Sequence, residues 1–337
     1  MRVLVIGGAG MLGRAVARQM REAGHTVYSF DLVPSPEEGV ESAIGDVRSA
    51  EAVSAACEGM DTVIHTASMV SQDPGKPQPV FDVNVQGTRN VIAACQRHHV
   101  SKLVYTSSID VVFDGTPIRD GDETLPYPTR HLDYYGETKA IAEQAVIAAN
   151  GTEGLSTCVL RAAGIYGPND RHRFPRVLFP AAQTGTFTRL GNGRSMSNHV
   201  YVDNVAHAHV LAAQQLTGDH AAAGQCYFIT DYAPSNFFEF FIPFLDALGI
   251  KAKQMRIPVS LALGFATVLE WKYYLSPVNK RTSPLFTRYS VAATSRDFWF
   301  NHRKASRDLG YAPLVSEQTA FDRTVDWARE ALRSLGR

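Results

Sequence analysis

The first thirteen residues constrain the fold more than any other stretch of the chain. Branched apolar side chains at residues 3–6 predict a short strand that is buried on both faces. Three glycines follow at three-residue spacing: Gly7, Gly10 and Gly13. In this pattern the first glycine makes a tight turn, the second lets the backbone approach a pyrophosphate, and the third lets a helix pack close to the strand. The stretch therefore predicts a dinucleotide-binding fold.

A second predicted strand, residues 26–30, ends in an acidic side chain. This residue, Asp31, lies about 20 residues beyond the glycine turn, where a carboxylate can accept both hydroxyls of an adenosine ribose. Asp31 would repel a 2′-phosphate, and the next residue, Leu32, offers no compensating arginine. We therefore expect NAD rather than NADP, with its phosphates on the N–H groups of the helix that starts at Met11 and Leu12.

Composition narrows the class of protein further. The chain has 337 residues and a formal net charge of zero, so it is large enough for two domains and lacks the electrostatic footprint of nucleic-acid binding. Its four cysteines are scattered, which predicts buried thiols in a reducing compartment and no bound metal. The chain opens on a core strand and holds no apolar run of about 20 residues, so we expect a cytoplasmic protein without a signal peptide or membrane span.

Strands alternate with helices through the first half of the sequence, and this alternation predicts a doubly wound parallel sheet. Ligands bind such sheets at the carboxyl ends of the strands, so residues just beyond each predicted strand are candidates for cofactor contacts. They are Asp46, Val47, Thr66, Ala67, Ser68 and Asn84. Asn84 is expected to bond the backbone at a strand end. His65 is interpreted instead as a buried histidine with a hydrogen-bond partner.

A tyrosine and a lysine on a predicted helix, residues 133–149, supply the chemistry. Tyr135 and Lys139 are four residues apart and project from the same face. Tyrosine has a reference pKa of about 10, and a nearby ammonium lowers that pKa and makes the phenol a usable acid and base. Ser108, at the end of the fifth strand, is placed to donate to the substrate oxygen. We expect Tyr135 to transfer the proton, because Tyr134 points about 100° further round the helix.

Several motifs together resemble an extended short-chain dehydrogenase/reductase: the glycine turn, the tyrosine–lysine pair and residues 105–108 and 161–168. Residues 107–150 are similar to the 3β-hydroxysteroid dehydrogenase family and, within it, to the sterol-4α-carboxylate 3-dehydrogenases (decarboxylating). The strongest matches and the supporting segments are 111–115, 133–139, 205–213, 227–231 and 305–311. The resemblance covers essentially the whole chain. One departure is Ala162, where relatives commonly carry proline.

This resemblance implies an α/β, Rossmann-type fold with a smaller, mostly C-terminal substrate-binding lobe, assembled as a homodimer. We expect residues 1–165 to form the NAD-binding domain, with residues 199–230 returning to it. Residues 166–198 and 231–337 are then expected to form the substrate-binding lobe.

The resemblance also implies a role for each site residue. Tyr135 transfers the proton, Lys139 holds the nicotinamide ribose, and Ser108 orients the substrate hydroxyl. Further cofactor contacts are implied at Asp31 for the adenine ribose, Asp46 and Val47 for the adenine, and Ile165. No metal is implied, because the cofactor carries the chemistry.

The implied activity is reversible hydride transfer between NAD and a 3β-hydroxyl or 3-ketone on a steroid or sterol. If a carboxylate sits on the neighbouring carbon, the product is a β-keto acid that readily loses carbon dioxide. Two alternatives stay open: a 2-alkyl-3-oxoalkanoate reductase of long-chain olefin synthesis, and a non-catalytic dinucleotide sensor. The joint presence of Ser108, Tyr135 and Lys139 argues against the sensor, and the apolar residues 257–269 argue against a sugar-nucleotide epimerase.

Two stretches of the second half bear on the substrate. Residues 169–173 form a basic patch whose Arg171 and Arg173 either bind a substrate carboxylate or belong to a solvated loop, and Tyr166 is a further candidate contact. Residues 257–275 are the most lipophilic part of the chain. We interpret them first as a wall of a hydrophobic substrate pocket, second as a peripheral dock on a membrane surface, and third as core.

Overall fold

A computed structural model of the chain describes residues 1–71, 73–217, 221–277, 282, 284 and 286–334. The strands are β1 (Arg2–Ile6), β2 (Thr26–Asp31), β3 (Glu41–Ile44), β4 (Thr62–His65), β5 (Lys102–Ser108), β6 (Ile118–Gly121), β7 (Ser156–Ala162), β8 (Gly164–Tyr166), β9 (Thr186–Leu190), β10 (His199–Tyr201), β11 (Gln225–Ile229), β12 (Lys253–Ile257) and β13 (Phe298–Phe300). The helices are α1 (Met11–Glu22), α2 (Ala50–Cys57), α3 (Gln78–Phe81), α4 (Gly87–Arg97), α5 (Tyr134–Ala148), α6 (Arg173–Thr184), α7 (Val202–Gln215), α8 (Ile242–Ala247), α9 (Val259–Leu275), α10 (Arg288–Ser295), α11 (Arg303–Leu309) and α12 (Glu317–Ser334). A π-helical turn, Asp82–Gln86, joins α3 to α4, and a 3₁₀ turn, Ile109–Val112, follows β5.

Seven strands form one parallel sheet in the order β11–β7–β5–β4–β1–β2–β3. Successive side chains of a strand face opposite sides of a sheet. In β1, Val3 and Val5 accordingly join the hydrophobic core on one face, and Leu4 and Ile6 join the core on the other. The strand order reverses beside β1, and this reversal opens a ligand crevice at the carboxyl ends of the strands. The predicted doubly wound parallel sheet is confirmed.

Close packing at the end of β1 explains why glycines stand in the turn. Gly7 has a φ of +86°, a backbone conformation that favours glycine, and an added Cβ would lie 2.6 Å from the amide nitrogen of Ala67. A Cβ on Gly13 would overlap the carbonyl of Gly7, so this glycine lets α1 pack directly on the turn. Gly10 is different, because a Cβ there would meet only the Gly7 carbonyl oxygen, at 3.3 Å.

Three two-stranded parallel pairs lie outside the large sheet: β8 with β10, β9 with β12, and β6 with β13. Strand β11, within the segment 199–230, completes the large sheet at its edge. Strand β6 belongs to the residues predicted to form the NAD-binding domain, yet it pairs with β13 near the C-terminus. The excursion between β5 and α5 therefore joins the C-terminal part of the molecule, while the predicted division into domain and lobe stays a prediction.

In the described part of the chain, no helix combines the length and the apolar character that crossing a membrane requires.

Replacing Gly13 with alanine tests the packing of α1 on the glycine turn. We expect the free energy of unfolding to fall by about 1–3 kcal/mol, because the added methyl forces the helix away from the Gly7 carbonyl. Gly264→Ala is the matched control: Gly264 lies inside α9, and a methyl group added there would meet no atom of the described residues within 4 Å, so alanine should raise stability by up to about 1 kcal/mol. Urea denaturation measures both, and equal effects of the two variants would contradict the packing argument.

Candidate functional site

The parallel sheet brings the sequence-predicted residues to one edge. The glycine turn follows β1, Asp31 ends β2, and Ser108 ends β5. Residues 66–68 leave β4 and lie against the glycine turn, where the Thr66 hydroxyl donates to the carbonyl of Ile6 at 3.0 Å. The parallel topology thus places the predicted phosphate, ribose and catalytic groups along a single crevice.

The start of α1 fits an anionic ligand. Gly10 is the N-cap residue, and no side chain in the described part of the chain caps the helix, so its first-turn N–H groups can bind phosphate oxygens. The Asp31 carboxylate accepts from the Ala9 N–H at 3.0 Å and from the Leu32 N–H at 2.7 Å. These bonds hold the carboxylate beside the glycine turn, where the sequence predicts the adenine ribose.

The two predicted adenine contacts, Asp46 and Val47, lie just beyond β3, and both have hydrogen-bond partners within the chain. The Asp46 carboxylate pairs with Arg48 at 2.5 Å, and the hydrogen bond from that guanidinium lowers the pKa of Asp46. Val47 is buried; its side chain faces Gly87 at the start of α4, and its carbonyl accepts from the Asn90 amide at 3.0 Å. An adenine contact from Asp46 would therefore share the carboxylate with Arg48, and this contact stays a prediction.

Asn84 occupies the π-helical turn and bonds the backbone of Met69 in the segment that leaves β4, while its predicted cofactor contact stays a prediction. Its Oδ1 accepts from the Met69 N–H at 2.8 Å, and its Nδ2 donates to the Met69 carbonyl at 3.1 Å. Nδ2 also donates to the Thr138 hydroxyl on α5 at 3.0 Å, and Ser68 donates to Oδ1 at 3.3 Å. The π turn thus ties the exit of β4 to the helix that carries Tyr135.

Helix α5 begins at Tyr134, one residue after its N-cap Asp133, whose carboxylate accepts from the Gly136 N–H at 3.1 Å. Tyr135 then lies beside the hydroxyls of Ser68 and Ser108. Tyr134 instead faces away, with the Lys76 ammonium 5.3 Å from its ring centre. The geometry therefore groups Tyr135, rather than Tyr134, with the predicted catalytic serine.

The protonation of the tyrosine–lysine pair differs from the sequence expectation. Burial, reinforced by the charge of Asp110, raises the pKa of Tyr135, although the hydroxyls of Ser68 and Ser108 act in the opposite direction. Lys139 is 2% exposed, and its ammonium donates to the Thr106 carbonyl at 2.6 Å and lies 4.2 Å from the centre of the Tyr105 ring. Burial lowers the pKa of Lys139 to about 7. The predicted lowering of the tyrosine pKa by this lysine is therefore not seen here, because the amine itself is desolvated.

Sequence reasoning missed two residues that contact the predicted catalytic serine or its neighbour. Ser108 donates to Asp110 Oδ2 at 2.6 Å, and Tyr289 of α10 donates to Asp110 Oδ1 at 2.7 Å. Asp110 lies two residues after Ser108, a spacing at which serine and aspartate commonly bond each other locally, so the sequence held a weak signal for it. Tyr289 is 179 residues from Asp110, and no local signal could have indicated it.

A buried ion pair lies beneath these groups. Glu143, on α5, accepts from the Arg161 guanidinium of β7 at 2.6 Å and from the Tyr127 hydroxyl at 2.7 Å. Its second carboxylate oxygen accepts from Ser107, the residue before Ser108. Glu143 therefore fixes α5 to β5 through Ser107 and to β7 through Arg161.

The three candidate substrate contacts differ in their surroundings. Tyr166 is buried among Tyr201, Phe240 and Phe244, so its ring is part of the core and not of an open surface. Arg173 donates to the Gly164 carbonyl at 2.6 Å and bonds His199, also at 2.6 Å.

Arg173 is thus a structural link between α6 and the β8–β10 pair rather than a free carboxylate receptor. Arg171 is exposed, as a solvated loop residue or a carboxylate contact would be. Ile165 lies on β8 opposite Val200 of β10 and is half-buried, and its cofactor contact stays a prediction.

His65 is buried at the end of β4, as interpreted from the sequence. Its Nε2 bonds the Thr88 hydroxyl at 3.1 Å, and its other ring nitrogen, Nδ1, has no hydrogen-bond partner among the described residues. Burial, together with the charge of Lys139, lowers the pKa of His65 to about 3. The ring therefore stays neutral at physiological pH.

Replacing Lys139 with methionine tests the cost of burying this amine. An unfolded lysine has a pKa of about 10.4, so between about pH 7 and 10 the unfolded chain binds a proton that the folded chain lacks. The penalty on stability is thus complete below pH 7 and disappears as the pH rises toward 10. We expect Lys139→Met to raise the free energy of unfolding by roughly 2 kcal/mol at pH 6 and by less at pH 9.5.

Denaturant unfolding at both pH values measures this difference, with the exposed Lys251→Met as control. A gain for Lys139→Met that is equal at the two pH values would contradict the assignment.

Solved structures of similar shape confirm the fold. The Thermus thermophilus UDP-glucose 4-epimerase in complex with NAD has a TM-score of 0.74 and 24% sequence identity, covering 98% of this chain and 100% of that chain. Epimerase Mth375 from Methanothermobacter thermautotrophicus has a TM-score of 0.78 and 20% identity, covering 99% of this chain and 94% of that chain. At these identities the likeness shows the fold alone.

Sequence comparison places the chain more narrowly. The chain is 40% identical over 330 residues to a 3 beta-hydroxysteroid dehydrogenase/Delta 5-->4-isomerase of Mycobacterium tuberculosis, covering 95% of this chain and 88% of the relative. It is also 40% identical over 327 residues to short-chain dehydrogenase/reductase family 42E member 1 of Xenopus laevis, covering 92% and 84%. Residues 4–259 match the profile of one family. The chain therefore belongs to the 3-beta hydroxysteroid dehydrogenase/isomerase family.

Proposed function

We propose that the chain is an NAD-dependent dehydrogenase that interconverts a 3β-hydroxyl and a 3-ketone on a steroid or sterol. The observation that carries the proposal is the meeting of Tyr135, Ser108 and Ser68 at the carboxyl edge of the sheet. A phenol for proton transfer, with hydroxyls to orient the reacting oxygen, suits alcohol oxidation at a dinucleotide crevice. A relative in Mycolicibacterium neoaurum that is 37% identical is named 3-beta-hydroxysteroid dehydrogenase, which supports the substrate class.

The residues present fit NAD. The uncapped start of α1 would hold the pyrophosphate, and the Asp31 carboxylate would accept the adenine ribose hydroxyls and repel a 2′-phosphate. When bound, NAD would supply the acceptor for the carbinol hydride. Lys139 would hold the nicotinamide ribose by turning its ammonium from the Thr106 carbonyl toward the crevice.

Tyr135, once ionised, would take the alcohol proton at its phenolate oxygen while Ser108 holds the substrate oxygen in line. The pKa of Tyr135 is raised in the described structure, so proton acceptance near neutral pH needs a cation brought closer to the phenol. Lys139, one helical turn away, is the residue placed to provide it.

For a 4-carboxysterol, the same oxidation would give a β-keto acid that loses carbon dioxide without further catalysis. The exposed Arg171 is the cation that we assign to such a carboxylate, since Arg173 is bound to Gly164 and His199. The 2-alkyl-3-oxoalkanoate reductase is the competing enzyme, because its substrates also join a β-hydroxy or keto group to a large apolar body.

Replacing Tyr135 with phenylalanine tests the proton-transfer role. We expect kcat with a 3β-hydroxysteroid to fall by about 100-fold or more, because one positioned acid/base is lost, while the affinity for NAD changes little. The neighbouring Tyr134→Phe also removes one tyrosine hydroxyl from the same helix, and this variant should stay active. NADH formation and calorimetric NAD titration measure both effects, and loss of NAD binding by Tyr135→Phe would show that the role has been misread.

The same assay, run on a 3β-hydroxysteroid, a 4-carboxysterol and a long-chain 2-alkyl-3-hydroxy acid, separates the substrate classes. Turnover of the acid alone would overturn the steroid proposal. Tight NAD binding without turnover of any of the three would favour the dinucleotide sensor.

Helix α9 exposes a stripe of large apolar side chains, which excludes the interpretation of residues 257–275 as plain core. The exposed fractions are 66% for Leu261, 56% for Phe265, 61% for Val268, 68% for Trp271 and 85% for Leu275. Their spacing of three and four residues places them on one face. The buried residues of the helix are Ala262, Ala266, Glu270 and Tyr273.

We propose that this α9 stripe docks on a lipid surface and delivers the lipophilic substrate. Lys272, beside the stripe, is exposed and long enough to reach lipid phosphates. The end of α9 also touches the loop that leaves β4, because the Tyr274 hydroxyl donates to the Pro74 carbonyl. Met69 and Val70 of that loop are exposed and directly follow Ser68, so the stripe lies beside the chain segment that reaches Tyr135.

Cosedimentation with phosphatidylcholine–phosphatidylserine vesicles tests the dock. Replacing Phe265 and Trp271 together by glutamate should weaken vesicle binding by at least about tenfold, because each buried side chain contributes at least about 1.5 kcal/mol. Leu314→Glu is the control, since Leu314 is 56% exposed and lies outside the stripe. Equal binding of the parent chain and the double variant would contradict the dock.

The homodimer stays a prediction based on helices α4 and α5. Half-buried Ile92, Ile141 and Ile147 are the apolar side chains that these helices would bring to a two-fold interface. Light scattering of the purified chain measures this state directly.

A further inference from the structure

The hydroxyl of Ser108 is part of a bonded chain that reaches into the C-terminal part of the molecule. Ser108 Oγ donates to Asp110 Oδ2 at 2.6 Å, and it accepts from the Asp110 N–H at 3.3 Å. The opposite carboxylate oxygen, Asp110 Oδ1, accepts from the Tyr289 hydroxyl at 2.7 Å. Asp110 is 8% exposed, so these partners replace the water that a carboxylate would otherwise bind.

Counting donors shows what this arrangement does to Ser108. A serine hydroxyl has one proton and two lone pairs. If Asp110 is ionised, the Ser108 proton belongs to the carboxylate and the Asp110 N–H uses one lone pair, so the serine can only accept from the substrate. If Asp110 is neutral, its own proton at Oδ2 can be donated to Ser108 Oγ, and the Ser108 proton is free for the substrate oxygen.

We propose that Asp110 is a positioning residue that sets the direction of the Ser108 hydroxyl, and that Tyr289 holds Asp110 in place from α10. This inference rests on the proposed dehydrogenase function. In the neutral form of Asp110 the donors run in one direction, from Tyr289 to Asp110, from Asp110 to Ser108, and from Ser108 to the reacting oxygen. Negative charge develops on that oxygen as the alcohol proton leaves, so a donor at Ser108 stabilises the transition state.

Burial of the carboxyl group between two neutral hydroxyl partners acts toward this neutral form. Burial raises the pKa of Asp110, although its bonds from Ser108 and Tyr289 act the other way. The Asp110 backbone also packs closely on α5, since a Cβ on Gly136 would lie 2.9 Å from the Asp110 carbonyl oxygen. Asp110 therefore sits between the strand that carries Ser108 and the helix turn that carries Tyr135.

Two substitutions of Asp110 test whether the direction of its hydrogen bonds matters, and not only the presence of a side chain at this position. Asparagine imitates the neutral acid, because its oxygen can accept from Tyr289 and its amide can donate to Ser108; alanine provides neither. We expect Asp110→Asn to keep kcat within about threefold of the parent and Asp110→Ala to lower it at least about tenfold, with the KM for NAD unchanged in both. Asp114→Ala is the matched control, since Asp114 is an exposed residue four positions on that bonds its local Thr116.

A double-mutant cycle with Ser108→Ala distinguishes positioning from a structural effect. Asp110→Ala should have little further effect once Ser108 is removed, because the two residues act through one hydroxyl. Effects that add in full, or an asparagine variant as impaired as the alanine variant, would overturn the proposal. If Asp110→Ala does not fold, Tyr289→Phe removes a single hydroxyl and should lower kcat several-fold in the parent but not in the Ser108→Ala background.

Infrared spectroscopy reads the same contacts without turnover, so failure of the dehydrogenase proposal would not be confused with failure of this one. The carboxyl band of Asp110, identified by its disappearance in Asp110→Asn, should shift in Ser108→Ala and in Tyr289→Phe. A band that is unchanged in both variants would show that the bonded chain does not exist in solution.

Discussion

The direct packing of α1 on the glycine turn is the constraint on which the site depends. Since Gly13 has no side chain, the helix sits against the Gly7 carbonyl, and since Gly7 has none, the exit of β4 sits against the turn at Ala67. The two approaches bring the start of α1 and the end of β4 to the same point. Ser68, one residue further, then lies beside Tyr135. A methyl group at either glycine would overlap one of these close approaches, between the turn and α1 or between the turn and Ala67.

A second constraint is the buried ion pair that anchors helix α5 to the sheet. Helix α5 carries Tyr135, Lys139 and Glu143 at intervals of four residues, so all three project from one side of the helix. Glu143 is anchored by Arg161 of β7 and by Ser107 of β5. Replacing a buried ion pair by apolar groups often costs little, whereas removing one partner costs about 3–5 kcal/mol. The pair is thus weak evidence for stability, but it fixes the height and rotation of α5 relative to the strand that ends in Ser108.

Local signals explain which features the sequence predicted. Apolar runs gave the strands of the sheet, glycine spacing gave the turn, and the four-residue spacing gave the shared face of Tyr135 and Lys139. The carboxyl-edge rule then brought Ser68 and Ser108 to the same crevice, and Asn84 to the backbone at its rim. Each of these inferences needs only neighbours in the sequence or the general geometry of parallel sheets.

The features that the sequence did not predict depend on contacts between distant segments. Tyr289 reaches Asp110 across 179 residues, and β6 pairs with β13 although the two are far apart in the chain. The sequence predicts Arg173 as a candidate carboxylate receptor because it does not show the partners of this guanidinium, which are Gly164 and His199. The burial of Tyr166 is likewise set by distant segments, since the aromatic rings that bury it come from other elements.

The fold buries the amine of Lys139 away from the water that would stabilise its charged form. The ammonium faces the Tyr105 ring and the carbonyl of Thr106, and its own pKa is lowered to about 7, so near neutral pH it can lose its proton at little cost. A second cation beside it would lower that pKa further and expel the charge. His65 is the neighbour that could supply one, and burial holds the pKa of His65 at about 3, which keeps the ring neutral. Because the His65 ring is neutral, it does not repel the Lys139 ammonium that the proposed proton transfer at Tyr135 requires.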